Sequence, residues 1–124
     1  MSSLLRWPRR RWLAGAVLAV PLTVLYALDG PPATTWWAAP VAVLCGGLAA
    51  LVLASYVPLP GSRRRVDVGC TPCSAVAAAT VFGSFVLRDT DPLAVGMSLL
   101  AVLLLGFGLA QRLSGAACAV PVGR

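Results

Sequence analysis

The chain has 124 residues, of which 59% are hydrophobic and 11% charged, with a formal net charge of +6. So few polar residues cannot cover a single water-soluble core, which excludes an ordinary soluble domain. Glu, His, Lys, Ile and Asn are absent and all ten basic residues are Arg, which excludes His-based catalytic triads and most metal sites and gives the alphabet of a GC-rich coding sequence, as in high-GC bacteria.

The apolar residues gather in four blocks, each near the length of about 20 residues that carries a helix across a hydrocarbon core of about 30 Å. The first covers residues 12–28, directly after Arg6, Trp7, Pro8, Arg9, Arg10 and Arg11, and stops at Asp29, Gly30, Pro31 and Pro32, a run that cannot continue a helix. Pro21 in its middle predicts a kink or a carbonyl left open for a neighbour. Arginines before an apolar run also resemble a twin-arginine export signal, but three further apolar blocks follow, so an uncleaved first helix is expected. The second span covers 36–57, tolerates Pro40 in its first turns, and stops at Pro58, Pro60 and Gly61. The third covers 72–87, with Pro72 at a favourable first-turn position, and is expected to be the shortest. The fourth covers 92–111, with Asp91 as its N-cap. The fold class expected is therefore all-α: one domain over residues 1–124, an integral membrane bundle of four transmembrane helices.

Charge orients that bundle, because short Arg-rich loops stay on the cytoplasmic side. With the N-terminus inside, the inner segments hold Arg6, Arg9, Arg10, Arg11, Arg63, Arg64, Arg65, Arg112 and Arg124, and the outer loops hold only Arg88. Both termini are expected in the cytoplasm, in a multi-pass protein of the cell membrane. Trp12 and Tyr56 fall at the inner boundary and Tyr26, Trp36 and Trp37 at the outer one, where amphipathic rings prefer to sit. Arg9, Arg10, Arg11, Arg63, Arg64 and Arg65 lie where anionic lipid head groups would meet them. Because this charge is divided among separate inner segments beside lipid, no nucleic-acid partner is expected.

Helices in lipid associate by close backbone approach, which favours small residues four apart. The second span carries Ala38, Ala42, Gly46, Ala50 and Ala54 at that spacing, the third Ala75, Ala79 and Gly83, and the fourth Gly106, Ala110 and Ser114. These are the expected helix-packing residues, toward the chain's own bundle or toward another protein. Ser55, Thr80, Ser84 and Ser98 are expected to bond back to carbonyls of their own helices.

Chemistry has few places to reside. All four acidic residues, Asp29, Asp67, Asp89 and Asp91, fall in loops or at helix ends, whereas ion-coupled transport uses an ionisable group near the midplane. A small multidrug exporter of four helices is similar in size, but the membrane-embedded glutamate that defines that family has no counterpart here. One motif stands out: Cys70, Thr71, Pro72 and Cys73 form a C-x-x-C at the start of the third helix. A helix N-terminus favours the thiolate, and paired thiols at this spacing form redox-active disulfides. In this the chain resembles the quinone-linked membrane thiol oxidoreductases, which are also four-helix bundles with a C-x-x-C at a helix start. It departs from them in facing inward and in lacking a second pair. Cys70, Cys73 and Cys118 together are the candidates for a soft-metal site, while Cys45 within the second span reads as a small packing residue.

The function expected is that of a non-catalytic accessory or scaffold subunit without a cofactor, whose helices contact a larger membrane partner or copies of itself. The alternatives are a membrane thiol redox or soft-metal protein using Cys70 and Cys73, and a small pore or exporter without an ionisable coupling residue.

Overall fold

The computed structural model describes residues 7–29, 35–58, 60–61, 71–90 and 95–114, with the backbone alone at 71–73 and 88–90. Four helices run through these segments: α1 Arg9–Leu28, α2 Ala38–Ala54, α3 Thr71–Thr90 and α4 Val95–Leu113. No strand occurs among the described residues. Two helices, α1 and α4, are long and apolar enough to cross a membrane.

Helix ends follow local chemistry. Pro8 is extended at the N-cap of α1 (φ −64°, ψ 149°), and its carbonyl accepts the Arg11 N–H at 2.9 Å, so Arg9, Arg10 and Arg11 form the first turn instead of preceding it. The helix continues through Pro21, whose missing N–H leaves the carbonyl four residues earlier without its helical donor. The second apolar block, the longest in sequence, gives a helix of 17 residues. Trp36 and Trp37 lie in the turn where the Ala38 N–H reaches Thr35, and Tyr56 and Val57 in tight turns onto Leu53 and Ala54. The third block, expected to be the shortest, gives a helix of 20 residues, because Arg88, Asp89 and Thr90 continue it. Asp91 and Pro92, the expected start of the fourth helix, lie outside the described residues.

The helices pair as two antiparallel hairpins, α1 with α2 and α3 with α4, which meet mainly through α2 and α4 with a smaller contact between α2 and α3. The first hairpin is set by small residues. A Cβ added to Gly15 would meet the Ala54 methyl at 3.6 Å, and one added to Gly46 would lie 2.6 Å from the backbone of Thr23. That register brings Ala19 level with Ala50. The stripe Ala38, Ala42, Gly46, Ala50 and Ala54 is buried throughout, and Val41, Cys45, Ala49 and Val52 are buried on the adjoining face, so α2 is enclosed on most of its circumference. In the second hairpin Thr80 crosses Gly108, where an added Cβ would lie 3.0 Å from the Thr80 Cβ, and Gly83 faces Leu104.

Polarity is inverted relative to a water-soluble bundle. The interior holds many alanines and hydroxyls, with Ser55, Ser74, Thr80, Ser84 and Ser98 all buried, beside larger side chains such as Tyr26, Val52 and Leu105. The exterior holds the large apolar side chains, among them Leu13, Val17 and Val20 on α1, Phe82 on α3 and Leu103 on α4.

The Gly46 crossing makes a definite prediction. Gly46→Leu is expected to cost about 1–3 kcal/mol by overpacking, because the atoms in its way are backbone and cannot step aside. Gly47→Leu, whose added Cβ meets nothing within 4 Å, is expected to leave stability nearly unchanged. Thermal unfolding of the two variants in detergent distinguishes them, and equal midpoints would contradict the crossing.

Candidate functional site

Two polar nodes join the helices, one at each end of the bundle. At the first, α2 ends without a basic residue in its last turn, leaving the partial negative charge of its terminal carbonyls to be met from elsewhere. Two other helices supply the cations. Arg112 near the end of α4 donates from Nε to the Ser55 hydroxyl and from a terminal nitrogen to the Ser55 carbonyl, both at 3.0 Å. Arg11 in the first turn of α1 donates from Nε to the Val57 carbonyl at 2.9 Å. The Arg112 guanidinium also lies 4.4 Å from the centroid of the Tyr56 ring, and the Tyr56 hydroxyl donates to the Ser74 carbonyl on α3. All four helices are thus tied at one end.

The Ser55 hydroxyl shows how such a node is satisfied. Its single proton goes to the Val52 carbonyl, which leaves its lone pairs to accept from Arg112. Beside it, Arg11 also lies 5.7 Å from the Trp7 ring centroid, and Trp7 sits against Trp12 with centroids 6.2 Å apart.

At the opposite end α1 meets α3 through Tyr26, which has 0% exposure. Its ring stacks on Phe85 with centroids 4.2 Å apart and 12° between planes, and its hydroxyl bonds to Ser84. Because Ser84 gives its own proton to the Val81 carbonyl at 2.7 Å, Tyr26 is the donor. Thr80 likewise bonds back to the Ala77 carbonyl at 2.7 Å. Tyr26 and Tyr56, expected as boundary aromatics, lie at opposite ends of the bundle, Tyr26 buried and Tyr56 half-buried, and each hydroxyl finds an acceptor on α3. Trp36, at 88% exposure, does point outward.

The sequence-derived positions separate into groups. Ala38, Ala42, Gly46, Ala50 and Ala54 face the chain's own interior. Ala75 and Ala79 are exposed, Gly83 is half-buried against Leu104, and Gly106 and Ala110 lie at or near the outer surface, with nothing within 4 Å of a Cβ added at Gly106. The inward face of α3 is instead Ser74, Ala77, Thr80, Val81 and Ser84, and that of α4 is Ser98, Ala101, Leu105, Gly108 and Leu109. Cys45 is fully buried. Cys73 occupies the first turn of α3, while Cys70 and Cys118, the other members of the thiol and soft-metal candidates, lie outside the described residues, as do Arg63, Arg64 and Arg65.

Several packing contacts are not marked by the residues expected from the sequence. Gly15, Ala19 and Thr23 follow the same four-residue rule as the α2 stripe and mark the matching face of α1. On α3 the recurrence of small hydroxyl residues at Ser74, Thr80 and Ser84 marks the packed face better than its alanines do. Compared with protein-family models, curated proteins and solved structures, the chain matches none.

The two nodes differ in what their loss should do. Arg112→Ala strips the buried Ser55 hydroxyl and carbonyl of a charged donor and is expected to destabilise by about 1–3 kcal/mol, whereas Tyr26→Phe keeps the stacked ring and loses one bond, for about 0.6 kcal/mol. Unfolding of both variants in the same detergent tests that order, which a larger effect at Tyr26 would reverse.

Proposed function

We propose that the chain is a multi-pass protein of the cell membrane with four spans and both termini cytoplasmic, acting without catalysis as a small accessory or scaffold subunit. The observation that carries this reading is the inverted polarity of the bundle. Leu13, Val17, Val20, Phe82 and Leu103 point outward while Ser74, Thr80, Ser84 and Ser98 are enclosed, an arrangement that hydrocarbon stabilises and water does not.

The spans follow from the same logic. At 1.5 Å per residue the 17 residues of α2 cover only about 26 Å, but the apolar stretch from Trp36 to Val57 lengthens that path, and α2 is the most enclosed helix, shielded by its neighbours from the lipid. The node that joins Arg11, Arg112, Ser55 and Tyr56 belongs to the Arg-rich end, hence to the cytoplasmic face. The Tyr26 node and Trp36 belong to the outer face.

A contact role is supported by where the small residues fall. Those of α2 hold the chain's own helices together, whereas Ala75, Ala79 and Ala110 are exposed and the position beside Gly106 is open. A second helix can make contact at these positions, whether it belongs to a larger membrane partner or to another copy. The hydroxyls that a pore would need along its wall are engaged otherwise: Thr80 lies against Gly108, Ser84 beneath Tyr26, and Ser55 beside Arg112.

Orientation is tested by impermeant maleimide labelling of intact cells. Cys70, Cys73 and Cys118 are expected to stay unlabelled until the membrane is opened, and a cysteine introduced as Thr34→Cys to react at once; the opposite pattern inverts the topology. The contact role is tested by cross-linking in native membranes. Ala79→Leu and Gly106→Leu are expected to change stability by less than about 0.5 kcal/mol, as surface substitutions do, yet to abolish discrete cross-linked species. A protein that is monomeric in mild detergent and captures nothing in the membrane would overturn that role.

A further inference from the structure

The three consecutive arginines at the start of α1 are not equivalent. With 3.6 residues per turn, successive side chains are 100° apart, so three in a row cannot share one face. Arg11 falls on the face of Gly15, Leu22 and Tyr26, all buried, and there its Nε reaches Val57. Arg9 and Arg10 fall on the opposite face and are exposed.

That opposite face is continuous along the helix. Leu13, Val17, Val20, Val24 and Leu28 occupy the same 100° arc as Arg9 and Arg10, and their exposures run from 51% to 75%. From Leu13 to Val24 the track measures about 16 Å, close to one leaflet's share, about 15 Å, of the hydrocarbon core. No acidic residue lies in the first turn of α1, so two guanidinium groups stand above an apolar strip with no carboxylate of their own helix turn beside them.

We infer that Arg9 and Arg10 with the Leu13–Val17–Val20 track form a binding face for one anionic phospholipid of the cytoplasmic leaflet. The inference rests on the membrane placement proposed above. The two positive charges attract the phosphate, and the acyl chains lie along the branched side chains below. A free phosphate would use only the upper half of this surface; the apolar half selects a lipid. Arg11 is excluded from the role because its bond to Val57 turns it inward.

Quenching of tryptophan by brominated lipids tests this site locally. Of the four tryptophans, Trp7 and Trp12 lie beside the arginines, so Trp36→Phe/Trp37→Phe leaves reporters only at this end. The protein is reconstituted into vesicles containing brominated phosphatidylglycerol or brominated phosphatidylcholine. The relative binding constant is expected to favour phosphatidylglycerol, to fall about fivefold for each of Arg9→Ala and Arg10→Ala, and to be retained by Arg9→Lys/Arg10→Lys. Equal quenching by the two lipids in the parent protein, or a preference that survives Arg9→Ala/Arg10→Ala, overturns the site. Quenching by phosphatidylcholine reports insertion itself. If that quenching persists while the preference is missing, the headgroup site alone fails; if neither lipid quenches, the membrane placement fails with it.

Discussion

The fold depends on how closely α1 and α2 approach at Gly46. Where the Thr23 backbone occupies the space that any side chain at position 46 would need, the two helices are separated by little more than their own main chains. Dispersion contacts between backbones then replace the side-chain burial that stabilises a soluble bundle. A close crossing sets the distance between the helices, and the flanking Gly15–Ala54 contact sets their angle and register. Larger side chains, Leu22 and Tyr26 on α1 and Val41 and Val52 on α2, are buried with the core around that crossing.

Small interiors have a weakness, because smooth faces of alanine and glycine slide more readily than interlocking leucines. Hydrogen bonds at the two ends remove that freedom. Tyr26 fixes α1 against α3 by a bond and a stacked ring, while Arg11 and Arg112 hold α2 at its C-terminus from both sides. Placing these bonds at the ends is physically sensible. Arginine is expensive at a bilayer centre but snorkels near a boundary, and at this end it meets the carbonyls of Ser55 and Val57, just past the last turn of α2.

Much of this was legible in the sequence, and the failures have a common cause. Four helices follow from apolar run length and from the prolines and glycines between the runs. The α2 stripe follows from spacing, because five small residues four apart wind slowly around one side of the helix. On α3 and α4 the same spacing picks out Ala75, Ala79 and Ala110, which face outward, because in an alanine-rich helix every face contains alanines and spacing loses its discrimination. The distinguishing residues were the less common ones: a hydroxyl that needs a partner must be inside if the outside is hydrocarbon, which singles out Ser74, Thr80 and Ser84. For Tyr26 and Tyr56 the helix end is legible in the sequence but the partner is not, since a ring there suits both a headgroup belt and an internal acceptor, and the position of α3 supplies the acceptor. The C-x-x-C is partly legible still: Cys73 lies in the first turn of α3, and Cys70 precedes it outside the described residues.

Charge counting likewise conflated two uses of arginine. Nine arginines are expected on the inner side as one group, but a helix turns each neighbour by 100°, so adjacent positions acquire different tasks. Arg11 and Arg112 act as helix caps for α2, while Arg9 and Arg10 face away. The outer circumference is mixed. On α1 it carries Leu13, Val17, Val20, Val24 and Leu28 beside Ala16 and Ala27, and on α3 and α4 it carries Phe82, Leu103 and Phe107 beside Ala75, Ala79, Gly96 and Ala110. Lipid tails cannot match a shallow small-residue surface as closely as a rigid helix can. Small and large side chains thus share the outer surface of α3 and α4, with α2 the most enclosed helix.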